Sequence, residues 1–264
     1  MNEQAARLLV LARTLAVAEF KLRYLESKLS YLWTIAHPLA FFAILYVVFT
    51  NVGNFDKGIE DYPVILLTSV VLWTFFAEST SRAVWCMARH GDVLRKLRVP
   101  HAMIPLSVVL TSFFDLCMNL LAVLFFMVVS GISPRLSWLE LPLLVALLGV
   151  LATGVALLVS SLYVRFRDVN QIWNIGRQGL FYASPIIYVV TSAPENLEKL
   201  IASLPIAAIL TQARHAMVDP SAPTAADAVG GAEWLLVPLG IVALTFAAGV
   251  WVFRRESPGI AENL

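Results

Sequence analysis

Apolar residues fall into six long runs, at 29–50, 62–82, 103–129, 141–164, 172–190 and 234–253, separated by charged or turn-forming stretches. A helix that crosses a bilayer needs about 20 mostly apolar residues, because roughly 30 Å of hydrocarbon is covered at 1.5 Å per residue. The pattern therefore predicts an all-α integral membrane protein with six transmembrane helices. Pro38 should kink the first, Glu78 lies near the end of the second, Asp115 sits about halfway along the third, and the fourth is uncharged. The fifth is the shortest and is broken by Gly176, Arg177, Gly179 and Pro185.

Two weaker patterns flank these runs. Leu8, Leu11, Leu15, Ala18, Leu22 and Leu25 recur at spacings of three and four, with Arg13 and Arg23 off that face. This predicts an amphipathic interfacial helix over 1–28. Ala16-Val17-Ala18 resembles a signal-peptidase site, but Arg13 interrupts the apolar stretch and densely charged residues follow. Between the fifth and sixth runs, 194–218 contains two short apolar helical patterns divided at Pro205. They are too short to cross and are expected to re-enter the outer leaflet, where protein contacts must satisfy their backbone ends. The transmembrane domain thus covers 29–254 and a cytoplasmic tail 255–264.

Composition supports the membrane reading. Hydrophobic residues make up 59% of the chain and charged residues 14%, with a mean hydropathy of +0.78. Soluble domains carry about 25% charged residues, so this chain cannot cover a water-facing surface. A net charge of +1 excludes a nucleic-acid binder. Cys86 and Cys117 form no zinc spacing, and none of the thirteen glycines precedes Lys, so a P-loop is absent. No catalytic motif is present, and no cofactor or metal is expected on this chain.

Basic residues set the direction of insertion. Fifteen of the nineteen fall in alternate connections: Arg7, Arg13, Lys21, Arg23 and Lys28; then Arg82, Arg89, Arg95, Lys96 and Arg98; then Arg165, Arg167 and Arg177; and Arg254 and Arg255 at the end. The opposite side has only Lys57, Arg135, Lys199 and Arg214. Both termini are therefore expected in the cytoplasm.

Polar residues within the runs have structural readings as well as functional ones. Asp115 could serve a proton relay or ion site, but it lacks an intramembrane basic neighbour in sequence and is expected to face a helix interface or aqueous channel, hydrogen-bonded to Asn119. Glu78 and Arg82, four apart, form a local pair. His37, just before Pro38, reads as a hydrogen-bonded kink histidine. Aromatic side chains carry the functional signal: Tyr31, Trp33, Phe41, Phe42 and Tyr46 in the first run, Trp73 and Phe76 in the second, and Tyr182 and Tyr188 in the fifth. Those near helix ends fit an interfacial belt. The deeper ones could stack on the C–H faces of sugars, a lining that suits a sliding polymer.

A set of short motifs resembles one family. Lys21-Leu22-Arg23-Tyr24, Tyr31-Leu32-Trp33-Thr34 and His37-Pro38-Leu39 resemble the start of the first span in ABC-2 type permeases, particularly the polysaccharide-export branch (the Wzm and TagG type). Tyr62-Pro63, Trp73-Thr74-Phe75-Phe76, the stretch from Leu94 to Pro100, Ile104-Pro105-Leu106, Phe166-Arg167-Asp168-Val169 and Ser184-Pro185-Ile186 follow in order, so the likeness spans 20–253. Two positions depart: Ser30 stands where members carry Gly, and His37 where they carry Asn.

The resemblance implies a homodimeric permease in the bacterial inner membrane, paired with two copies of a separate ATPase that binds ATP and Mg. Its cargo would be a polyprenyl-diphosphate-linked glycan such as O-antigen or teichoic acid. The cytoplasmic loops carrying Asp92, Arg95, Lys96 and Arg98, and Arg165, Arg167 and Asp168, would meet that ATPase. The helices over 194–218 would gate the outer side of a path between protomers. An ABC-2 exporter of a small amphipathic drug or lipid is the second reading. A membrane glycosyltransferase would need exposed paired carboxylates in a substantial loop, and a secondary transporter several intramembrane charges or repeats; the chain shows neither pattern.

Overall fold

The computed structural model describes residues 30–50, 61–90 and 100–263. The expected amphipathic helix at 1–28 and the loop residues Asp92, Arg95, Lys96 and Arg98 lie outside them. The described residues are helical in long stretches: α1 (Ser30–Val48), α2 (Tyr62–Arg89), α3 (Met103–Val129), α4 (Leu141–Arg165), α5 (Val169–Ala183), α6 (Glu195–Ala202), α7 (Pro205–Met217), α8 (Ala225–Val229) and α9 (Leu236–Asn263). Four of these stretches, with their flanking turns, are long and apolar enough to cross a membrane: Tyr62–Arg89, Met103–Val129, Leu136–Arg165 and Ala232–Ser257.

The other two expected spans are shorter helices. α1 contributes an apolar stretch of Leu32–Val48. α5 begins at Val169, before the apolar run does, and stops at Ala183 instead of Val190. Its 15 residues cover about 22 Å, less than a hydrocarbon core. The cause of the stop is Pro185, which lacks an N–H and pushes Ser184 to an extended conformation, φ −92° and ψ 146°. The last helix, by contrast, runs past the expected end of the sixth span at Phe253, as far as Asn263.

α2 is the central element, packed by α3 on one side and α4 on the other. From Val64 to Phe76 it is buried on nearly every face, with Trp73 inside that run and only Thr74 partly accessible. Several buried hydroxyls along the bundle are satisfied within their own helices. Thr68 donates to the Val64 carbonyl at 2.8 Å, Thr80 to Phe76 at 2.7 Å, Ser107 to Ile104 at 2.8 Å and Thr111 to Ser107 at 2.9 Å. Such bonds keep polar atoms paired where water is scarce. α3 and α9 point large apolar side chains outward instead, among them Leu121, Phe125, Leu244 and Trp251. An apolar exterior of this extent suits lipid as the solvent.

α9 lies along α4 at very short range, and two glycines make this approach possible. A Cβ on Gly154 would lie 2.7 Å from the Phe246 Cα, and one on Gly249 would meet the Gly154 backbone. Small residues let helix backbones approach closely in membranes, where packing drives association.

The 195–229 segment caps the end of the bundle where α2 begins and α3 ends. α7 is inserted against α2, α4 and α9, with Ile206, Ile209, Leu210, Ala213 and Met217 buried. Protein groups satisfy its C-terminal carbonyls: the Ser137 hydroxyl donates to Ala216 at 2.6 Å and the Trp138 indole to Met217 at 3.1 Å. α8 adds a helix that the apolar pattern did not signal. Its start is a capping box between Thr224 and Asp227, and Gly230 closes it at φ +101°.

Candidate functional site

Three helices line a cavity of about 270 Å³ whose wall mixes polar groups with the apolar side chains of Val71, Phe75 and Leu116. α3 contributes Ser112, Asp115 and Asn119, at spacings that place them on one helix face. Thr74 and Glu78 come from α2, and Trp33, Thr34 and His37 from α1. Trp33 and the His37 side chain are each 67% exposed, so α1 forms the mouth while Asp115, 8% exposed, forms the floor.

The charged groups join the three helices. The Arg82 guanidinium donates to the Glu78 carboxylate on its own helix and, through Nη1, to Asp115 Oδ2 on α3 at 3.3 Å. His37 Nδ1 lies 3.6 Å from Glu78 Oε1. The local Glu78–Arg82 pair is thus present. Asp115 differs from the expectation: Arg82 supplies a basic partner from a neighbouring helix. The Asn119 amide donates at 2.9 Å to the Asp115 main-chain carbonyl, not to its carboxylate. The long arginine side chain reaches inward from a turn nearer the helix end, a partner that spacing along one chain does not reveal.

A second cavity, about 380 Å³, lies between α1, α2 and α5. Phe41, Leu45 and Phe49 line one wall, Trp73 the back, and Asn174, Gln178, Phe181 and Tyr182 the other wall, with Arg177 beside them. Phe181 is the hub of this groove. Its ring centroid lies 5.8 Å from Phe41, 5.5 Å from Trp73 and 5.2 Å from Tyr182, in tilted and edge-on arrangements that favour ring quadrupoles. Amides and rings therefore dominate the groove.

The aromatic residues singled out in the sequence occupy several settings. Trp33 borders the first cavity, and Phe41, Trp73 and Tyr182 line the groove. Phe42 stacks on Tyr46 at 5.8 Å. Phe76, 1% exposed, lies in the packing between Trp73 and Trp173. The Tyr188 hydroxyl donates to the Ala183 carbonyl at 3.1 Å, which holds the chain after α5. The Tyr31 side chain lies outside the described residues. Phe181 belongs to the aromatic set of the fifth run but was not among the lining candidates, although its i+4 relation to Arg177 and adjacency to Tyr182 place it beside the groove. Ser112 was also missed, and its signal was the three-residue spacing to Asp115.

Arg165, Arg167 and Asp168 gather at the junction of α4 and α5. Arg165 Nη1 lies 3.6 Å from Glu256 Oε1 of α9, and its guanidinium sits 5.3 Å from the Phe166 ring centroid. Arg167 lies 5.2 Å from that of Tyr163. The Asp168 carbonyl accepts the Ile172 N–H at 3.0 Å in the first turn of α5.

An apolar exterior on long helices, with cavities between them, marks a multi-pass integral membrane protein. The chain belongs to the ABC-2 type transporter family, which matches residues 11–218. It is 30% identical over 202 residues to the O-antigen export system permease protein RfbA of Klebsiella pneumoniae, covering 76% of this chain and 77% of that one. A protein of the same name from Myxococcus xanthus is 24% identical over 245 residues, or 92% of each chain. The chain is accordingly a bacterial inner-membrane permease, whose family places the ATPase on a separate protein.

Proposed function

We propose that this chain is the transmembrane subunit of an exporter for a polyprenyl-diphosphate-linked cell-envelope polysaccharide. The chief support is its likeness over most of its length to O-antigen export permeases. The groove of rings and amides between α1, α2 and α5 suits such a cargo, because aromatic faces stack on sugar C–H surfaces and amides exchange hydrogen bonds with hydroxyls. With α1 and the short α5 counted as spans beside the four long helices, both termini lie in the cytoplasm and α6–α8 on the outer side, an arrangement that accords with the distribution of basic residues.

Two copies of the chain would enclose the path, and two copies of an ATPase would bind ATP and Mg. Closure of the ATPases would act through the loops carrying Asp92–Arg98 and Arg165–Asp168 and rock the helices, while the glycan advances and its lipid stays in the bilayer. No residue of this chain breaks or forms a covalent bond in that cycle. Depleting the protein in its host tests the reading. Full-length lipid-linked glycan should accumulate on the cytoplasmic side and disappear from the surface. Unchanged surface glycan would refute it.

A further inference from the structure

We propose that the cavity between α1, α2 and α3 is a subsite for one neutral sugar ring of the cargo, a proposal that rests on the exporter reading above. Ser112 is 2% exposed and lines this cavity, yet its hydroxyl finds no hydrogen-bond partner among the described residues. Its neighbours Ser107 and Thr111 each donate to a backbone carbonyl of α3. Leaving a buried hydroxyl unpaired costs about 1–3 kcal/mol, so an occupant that bonds it recovers that cost. The cavity, at about 270 Å³, is much larger than the roughly 30 Å³ share of one water.

The lining selects the occupant. Arg82 is held by both Glu78 and Asp115, which leaves the cluster with an excess of carboxylate and disfavours a diphosphate. Among the described residues no group of three His, Cys, Asp or Glu side chains could hold a metal ion. Val71, Phe75 and Leu116 give the cavity an apolar side as well, so a hydrocarbon would match only that side and leave the Ser112 hydroxyl unpaired, whereas a sugar ring presents both a C–H face and hydroxyls. A sugar hydroxyl both donates and accepts, matching carboxylate, hydroxyl and amide together, while the exposed indole of Trp33 offers a face for the ring. Steps of four along α1 lead from Trp33 and His37 to Phe41 and Leu45 of the aromatic groove, so a ring leaving the subsite meets the groove next.

The test uses the complex with its ATPase in lipid nanodiscs. The probe is the oligosaccharide released by mild acid from the host's own surface polysaccharide, with binding read by saturation-transfer NMR. Ser112→Ala and Trp33→Ala should each weaken binding by roughly tenfold, and Ser112→Thr should retain it. ATP hydrolysis and thermal midpoint report folding, and Trp33, exposed at the mouth, can be changed without opening the core. Binding that is indifferent to both substitutions overturns the subsite, as does competition by inorganic pyrophosphate, which would assign the cavity to the diphosphate end. Loss of surface glycan on depletion together with indifferent binding rejects the subsite alone; retained surface glycan rejects the exporter reading too.

Discussion

Replacing Gly249 by Ala drives a methyl group into the backbone of Gly154. The added Cβ would lie 2.9 Å from the Gly154 carbonyl carbon and 3.1 Å from its Cα, and closer still to its oxygen. Carbon atoms prefer about 3.5–4.0 Å, so α9 must move away from α4 by a sizeable fraction of an ångström. A gap of roughly 0.5–1 Å forfeits a quarter to a half of each dispersion contact along the seam. Overpacking costs about 1–3 kcal/mol, and backbone cannot rotate aside, so the upper half of that range applies. Alanine's helix propensity returns up to about 1 kcal/mol, which leaves a net loss of roughly 1–2 kcal/mol. At about 2–4 °C per kcal/mol, the midpoint should fall by roughly 5 °C. Cys86, buried in α2, supplies the readout: maleimide labelling against temperature in a Cys117→Ser background. Gly149→Ala in α4 and Gly240→Ala in α9 are the controls, since a Cβ at either meets nothing within 4 Å. If Gly249→Ala unfolds no earlier than these controls, the close-packed seam is not what holds α9 in place.

Arg82→Met removes the cation shared by Glu78 and Asp115, which are only partly buried with it, and should destabilise the chain by about 1–2 kcal/mol, whereas adding Glu78→Gln and Asp115→Asn should restore most of that loss; equal midpoints for the single and triple variants would show that the charges are not coupled. Trp138→Phe removes the donor to the Met217 carbonyl and should lower the midpoint by an amount corresponding to about 1 kcal/mol, with faster amide exchange at the end of α7. For Asp219, burial raises the carboxyl pKa, but bonds from Ser221 and Arg214 outweigh it and hold it below its usual value; Asp227 is lowered chiefly by the Thr224 hydroxyl and then by its N–H. Both depressed pKa values predict stabilisation that is present above the unfolded value of about 3.9 and lost as pH falls through the folded one. Thermal midpoints of wild type and Asp219→Asn/Asp227→Asn should therefore differ at pH 7 and converge as pH falls below about 4; a gap of constant size across that range would refute the assignment.

Much of this protein follows from its hydrophobic pattern alone. A long apolar run can satisfy its backbone in lipid only as a helix, so membrane residence, helical class and the four longest helices were legible directly. The ordered motifs from Lys21 to Ile186 also carried the family likeness. Local chemistry signalled the Glu78–Arg82 pair, because residues four apart on a helix are neighbours whatever the rest of the chain does. The stop of α5 at Ala183 was foreshadowed by Pro185, but its place depends on packing. Tertiary structure decided the rest. Arg82 meets Asp115, and His37 approaches Glu78, only because α1, α2 and α3 are brought together. Phe181 becomes the centre of a groove, while Phe76 becomes packing, because α5 lies across α2 in one particular rotation. Hydrophobicity measures how much a residue avoids water; it does not say whether lipid, another helix or a cavity replaces that water, and only the assembled helices make that choice.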